Sequence, residues 1–248
     1  MIIITTRMQE QQLDKKKADK ALIITGAIIA LFVTALFTNG FGLFNKSSAG
    51  QIVSQGQDFV PLSIGNSPVL GKTDAPVTIY MFSDFSCPYC AAASGYNNQV
   101  IQQLKSKDAT WTPAIPGIIE NYVNTGKVKI VYKYAQGHGT GEAAELVGWC
   151  LNDQNLFWKF YDLAFANQED TGNLDKMKDL AQQSGADMTA LNQCLDSGKY
   201  QNQFQKDIAM ADSNGVQGTP SFLINGKMVS GAIPYSNFKK VIDSTLAG

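Results

Sequence analysis

The stretch Cys87-Pro88-Tyr89-Cys90 places two thiols two residues apart, where an apolar run, Val77-Thr78-Ile79-Tyr80-Met81-Phe82, gives way to a segment of helical character. A helix that begins at Cys87 surrounds that sulfur with unpaired backbone N–H groups and the positive end of the helix dipole, which favours thiolate over thiol. Cys90, one turn along, stands where it can attack a mixed disulfide formed at Cys87. The same spacing occurs in zinc sites, but zinc asks for two further ligands. Only Cys150 and Cys194 remain to supply them, and they are not a closely spaced pair. No metal is expected, and redox exchange is preferred to a zinc site or a static bridge.

The elements that hold this pair are legible from periodicity. Val77 to Phe82 reads as a central strand, and Ala91 to Leu104 as the helix that continues from the cysteines. Val128-Lys129-Ile130-Val131-Tyr132-Lys133-Tyr134 alternates apolar and polar residues as a second strand does, after a helix through Ile118 to Val123 and a stop at Gly126. From Gly139 to about Ser213 apolar residues recur at helical spacing, with turns near Asn152-Asp153, Thr171-Gly172 and Ser184-Gly185. Trp149, Phe157, Trp158, Phe160 and Tyr161 read as the core of that helical block. Ser221 to Ile224, Asn225-Gly226 and Lys227 to Ser230 form a hairpin signal, and a last helix follows Pro234. The fold class is α/β, with helices inserted midway.

The first fifty residues are of another kind. Ala21 to Phe37 is almost wholly apolar, and no charge occurs between Lys20 and Lys46, which is long enough for a transmembrane helix. Arg7, Lys15, Lys16, Lys17 and Lys20 precede it and only Lys46 closely follows, so the positive-inside rule keeps the N-terminus cytoplasmic and exports the remainder. A cleaved signal peptide ending near Ser47-Ser48-Ala49 is the alternative, and both readings put the cysteines outside the cytoplasm. The expected organisation is a cytoplasmic tail over 1–20, an anchor over 21–44, a Ser/Gly/Gln/Asn-rich linker over 45–66 and one domain over 67–248, with the helical insertion at about 139–213. A net charge of −1 without a basic face argues against nucleic acid.

In an oxidising compartment Cys150 and Cys194 are expected to form a second, structural disulfide, the alternative being two buried free thiols. Asp84 reads as a cap or turn residue, with proton transfer to Cys90 as the competing role. His138, between Gly137 and Gly139, reads as a turn residue.

Asp84-Phe85-Ser86-Cys87-Pro88-Tyr89-Cys90, together with Gly215-Val216-Gln217-Gly218-Thr219-Pro220-Ser221-Phe222 far downstream, resembles the DsbA-like thiol-disulfide oxidoreductases of the thioredoxin superfamily. The likeness runs from about Leu70 to the C-terminus and includes Phe157-Trp158 and Cys194-Leu195-Asp196-Ser197-Gly198-Lys199-Tyr200 in the insertion. It implies a thioredoxin-like fold with an inserted helical domain and no cofactor. It also implies catalytic roles for Cys87, as nucleophile, and Cys90, as resolving thiol. Pro220 would then be the cis-proline opposite the pair, and Thr219 would supply backbone beside the substrate.

Two positions depart from the best-studied oxidases of that class: Tyr89 stands where they carry His, and Met81 where they carry a buried Glu. The expected activity is disulfide formation in exported proteins with free thiols, with reoxidation by a quinone-linked membrane protein of the DsbB or vitamin K epoxide reductase type. A reductase or isomerase of the same fold, or a non-catalytic anchored binding module, also fits these residues.

Overall fold

The computed structural model describes residues 52–53, 60, 62–137 and 139–248. The expected anchor and the tail before it lie outside the described residues, as does His138. No helix among the described residues is long and apolar enough to cross a membrane.

In chain order the elements are β1 (Ile52–Val53), β2 (Val69–Leu70), β3 (Val77–Ser83), α1 (Pro88–Ala93), α2 (Asn98–Lys107) and α3 (Ala114–Ile118), which runs into a π-helical turn over Ile119–Val123. There follow β4 (Val128–Tyr134), α4 (Glu142–Asn152), α5 (Phe157–Ala166), a single 3₁₀ turn over Gln168–Asp170, α6 (Leu174–Ser184), α7 (Met188–Asp196) and α8 (Gln201–Ser213). The hairpin β5 (Ser221–Ile224) and β6 (Lys227–Ser230) and the helix α9 (Tyr235–Leu246) complete the chain.

Among the described residues six strands form one sheet in the order β1-β6-β5-β3-β4-β2. β3 and β4 run parallel, joined by the crossover through α1 to α3, and every other pairing is antiparallel. Ile52 and Val53 fall inside the stretch read as a linker, yet they pair with Val229 and Met228 of β6, so part of it docks on the sheet edge.

The long helix expected over Ala91 to Leu104 is two helices. Gly95 and Asn97 take positive φ, +90° and +58°, and no α-helix passes through two left-handed residues. Asn97 then caps α2 by accepting a hydrogen bond from the Val100 N–H at 3.2 Å.

Period two on the strands sorts side chains between two cores. Val77, Ile79 and Met81 of β3, Ile130 and Tyr132 of β4, and Phe222 and Ile224 of β5 share the larger core with α3, α9 and the insertion. Phe82 and Leu223 face the other way, against Ala211 of α8. Phe222 and Phe238, both fully buried, meet edge to face at 4.7 Å, each burial contributing about 1.5–3 kcal/mol. This anchors α9 to the sheet centre.

Both faces of the sheet are covered, so Lys133 is not the solvated position its alternation implies. It is 2% exposed and lies 3.4 Å from Asp207 of α8, which also accepts the Tyr134 N–H at 3.1 Å. Helices α4 to α8 occupy the expected insertion between β4 and β5. Cys150 of α4 and Cys194 of α7 are joined by a disulfide with Cα atoms 5.8 Å apart. Trp149, Phe157, Phe160 and Tyr161 are buried in the larger core, and Trp158 packs against it half-buried.

Candidate active site

Strand β3 ends at Ser83 and α1 starts at Pro88, which leaves Asp84-Phe85-Ser86-Cys87 to turn the chain. Asp84 builds that turn. Its Oδ1 accepts from the Ser86 N–H at 2.7 Å and the Ser86 hydroxyl at 2.6 Å, and its carbonyl accepts the Cys87 N–H at 3.0 Å. Its Oδ2 accepts the Gly137 N–H at 2.7 Å, which draws the loop after β4 against the turn. A Cβ at Gly137 would lie 2.5 Å from Thr219 Oγ1 and 3.1 Å from Asp84 Oδ2, so a larger residue there would displace the Thr219 side chain.

Cys87 is the N-cap residue of α1, with extended backbone angles, φ −79° and ψ 117°, and Pro88 occupies the first helical position, where a missing N–H costs nothing. The first free N–H groups of the helix belong to Tyr89 and Cys90, and both favour the Cys87 thiolate. The Cys87 thiol is held at about 6, below its ordinary 9.0. The hydrogen bond from the Cys90 thiol is the largest cause, burial opposes it, and Thr219 and the two backbone N–H groups add to the lowering. The Thr219 hydroxyl has no partner at normal hydrogen-bond length, so its pull is weaker than that of Cys90.

Cys90 responds in the opposite sense. Burial pushes its thiol well above 9.0, and the neighbouring Cys87 pushes it further. One of two adjacent sulfurs is therefore ionised at neutral pH while the other keeps its proton. That asymmetry suits thiol-disulfide exchange, in which one sulfur accepts and releases partners and the other closes the ring.

The loop before β5 completes the site. Cys87 Sγ lies 3.4 Å from the Thr219 carbonyl, to which its protonated form donates, the Thr219-Pro220 peptide bond is cis, and Gly218 faces open space. Tyr89 is 41% exposed beside the buried sulfurs. Cys87, Cys90, Thr219 and Pro220 are thus brought together, whereas the Cys150–Cys194 disulfide belongs to the insertion. Met81 is fully buried, and the Tyr161 hydroxyl lies 3.9 Å from its sulfur.

A thioredoxin family model matches residues 63–244 of this chain, and those residues contain β2 to β6, the cysteine turn and the cis-proline loop. The chain belongs to the thioredoxin family. Disulfide bond formation protein D of Bacillus subtilis is 29% identical over 82% of this chain and 86% of its own length. The crystal structure of oxidised BdbD from Bacillus subtilis superposes with a TM-score of 0.61 and 28% identity, over 75% of this chain and 96% of that one. Alpha-DsbA1 of Wolbachia pipientis shares the fold, with a TM-score of 0.58 and 22% identity over 75% and 92% of the two chains. The protein is a DsbA-like thiol-disulfide oxidoreductase of thioredoxin fold.

Around this thioredoxin-family site lie two residues that the sequence reading passed over. Glu145 of α4 is fully buried, and its Oε1 accepts from the Tyr132 hydroxyl at 2.6 Å and the Phe85 N–H at 3.2 Å, while Oε2 has no partner. Burial raises its carboxyl well above the usual range against the pull of Tyr132, and the Asp84 charge adds to the rise. A single charge inside the otherwise apolar run Ala143 to Leu151 is the signal that marks it. Gln168 binds the Phe85 and Cys87 carbonyls, and no local pattern announces it.

Proposed function

We propose that this protein is a membrane-anchored, extracytoplasmic dithiol oxidant that introduces disulfides into exported proteins, with Cys87 as the attacked sulfur and Cys90 as its resolving partner. The observation that carries the reading is the asymmetry of the pair, with Cys87 held at about 6 and Cys90 pushed well above 9.0. A stabilised Cys87 thiolate favours the reduced enzyme, which is what makes a disulfide oxidising.

In the oxidised enzyme a substrate thiolate attacks Cys87 Sγ. The Cys87–Cys90 bond breaks, a substrate–Cys87 disulfide forms, and Cys90 leaves as a thiolate that takes up a proton. A second substrate thiolate then attacks the substrate sulfur of that mixed disulfide and expels Cys87, now a good leaving group. Two electrons pass from substrate to enzyme, and the substrate keeps the new disulfide. Thr219 and Pro220 lie beside the attacked sulfur, where the backbone of an extended substrate segment can align.

Turnover requires an oxidant of the enzyme dithiol. By family likeness that partner is a quinone-linked membrane protein of the DsbB or vitamin K epoxide reductase type, and the apolar span from Ala21 to Phe37 would hold the domain beside it. The domain organisation of tail, anchor, linker and catalytic domain belongs to this same proposal, as does the N-in orientation that exports Cys87.

The test is trapping in cells that express the full chain. Cys90→Ala removes the resolving thiol, so exported proteins should accumulate as reducible adducts on Cys87, and a membrane-impermeant thiol reagent should reach the domain. Absence of adducts from Cys90→Ala, with adducts equally absent from Cys87→Ser, would reject the exchange roles.

A further inference from the structure

We propose that Gln168 is the positioning residue through which the helical insertion holds Cys87 for exchange; the inference rests on reading Cys87 as the attacked sulfur. Gln168 opens the 3₁₀ turn that follows α5. Its Nε2 donates to two carbonyls of the cysteine turn, Phe85 at 2.9 Å and Cys87 at 2.8 Å. Its Oε1 accepts from Asn97 Nδ2 at 3.1 Å. The orientation of the amide follows from its partners, since two carbonyl oxygens require the NH₂ end and Asn97 supplies a donor to the other.

The bonds to the Phe85 and Cys87 carbonyls cross more than eighty residues of sequence and act on the segment that sets the sulfur. Phe85 is gripped from the insertion on both sides of its peptide unit, with its N–H on Glu145 Oε1 at 3.2 Å and its carbonyl on Gln168. Its ring is buried among Phe157, Phe160, Tyr161 and Phe165 at centroid distances of 5.0 to 6.2 Å. The turn between β3 and α1 is thereby fixed to the insertion at Phe85, and Gln168 carries the fixation two residues on, to Cys87.

The consequence for chemistry follows from two effects of the same amide. Donors on the Phe85 and Cys87 carbonyls withdraw negative charge from the backbone next to the Cys87 sulfur, which favours the thiolate. They also hold the cap geometry in which Cys87 Sγ meets both Cys90 and the Thr219 carbonyl, so ring closure between the two sulfurs starts from a preset arrangement. Asn97, in its left-handed conformation, keeps the amide from rotating.

The experiment uses the full chain with Gln168→Met, which keeps the volume and removes the donors. Thiolate absorbance of the reduced protein is followed against pH, together with the rate of exchange with a small disulfide. The Cys87 ionisation constant is expected to fall about three- to ten-fold, the scale of one or two lost hydrogen bonds, and the exchange rate at pH 5, where the thiolate is the minor form, to fall in the same direction. Asn97→Gly, which tolerates the positive φ, is expected to give a smaller shift in the same direction. It decides the matter should Gln168→Met fail to fold. A variant that melts lower but keeps the wild-type titration curve and rate would overturn the positioning role. Cys87→Ser is run in parallel: if it retains the thiolate transition and exchange, the reading of Cys87 fails instead.

Discussion

Cys87 Sγ lies 3.4 Å from the carbonyl oxygen of Thr219, to which its protonated form donates, across 132 residues of sequence. The two belong to different parts of the sheet, Cys87 following β3 and Thr219 preceding β5, and the antiparallel register that sets Phe82 opposite Ser221 brings them together. In the proposed function, a substrate segment aligned along Thr219 and Pro220 would arrive beside the sulfur with the lower pKa.

The first prediction concerns that sulfur. Alkylation of the reduced protein at Cys87 should show a midpoint near pH 6, while Cys90 stays unreactive at neutral pH. Because the folded pKa of Cys87 lies below its ordinary 9.0, its contribution to stability is full above 9.0 and is lost as pH falls toward about 6. Chemical unfolding of the dithiol form should show stability rising between those limits relative to Cys87→Ser.

Much of this arrangement is written locally. Apolar runs locate β3 and β4, Asn225-Gly226 locates the hairpin, and the cysteine spacing with Pro88 locates the start of α1. Residues that act across the chain are not written locally. Lys133 reads as a solvated strand position until α8 covers that face with Asp207. Glu145 and Gln168 reach the cysteine turn only because α4 and the turn after α5 pack over it, and packing between distant segments leaves no periodic trace. The break between α1 and α2 was legible in principle, since Gly95 and Asn97 are the residue types that adopt left-handed backbone.

Glu145 supplies a second prediction. Its carboxyl is raised by burial, so the stability it contributes is complete below its ordinary 4.5 and declines as pH rises beyond that. Glu145→Gln keeps an acceptor for Tyr132 and Phe85 but cannot ionise. The variant should therefore match the wild type near pH 4 and exceed it at pH 8 by on the order of 1 kcal/mol, the scale of an imperfectly satisfied buried polar group. Urea unfolding at the two pH values measures the difference, and parallel curves would reject it.

The insertion disulfide gives a third. Cys150 and Cys194 close a loop with a sequence separation of 44. Replacing both by Ala should destabilise the non-reduced protein by about 4 kcal/mol, with a Tm drop on the order of 10 °C. The Cys87 titration midpoint should move little, because the bridge joins α4 to α7 away from the cysteine turn.

The central claim, that the Cys87–Cys90 pair is an oxidant of substrate dithiols, is tested most directly by its reduction potential in a glutathione redox buffer. The oxidant reading predicts a value well above the about −270 mV of a reductase and toward the about −120 mV of a strong dithiol oxidant. A value near about −270 mV, typical of a reductase, would contradict the account.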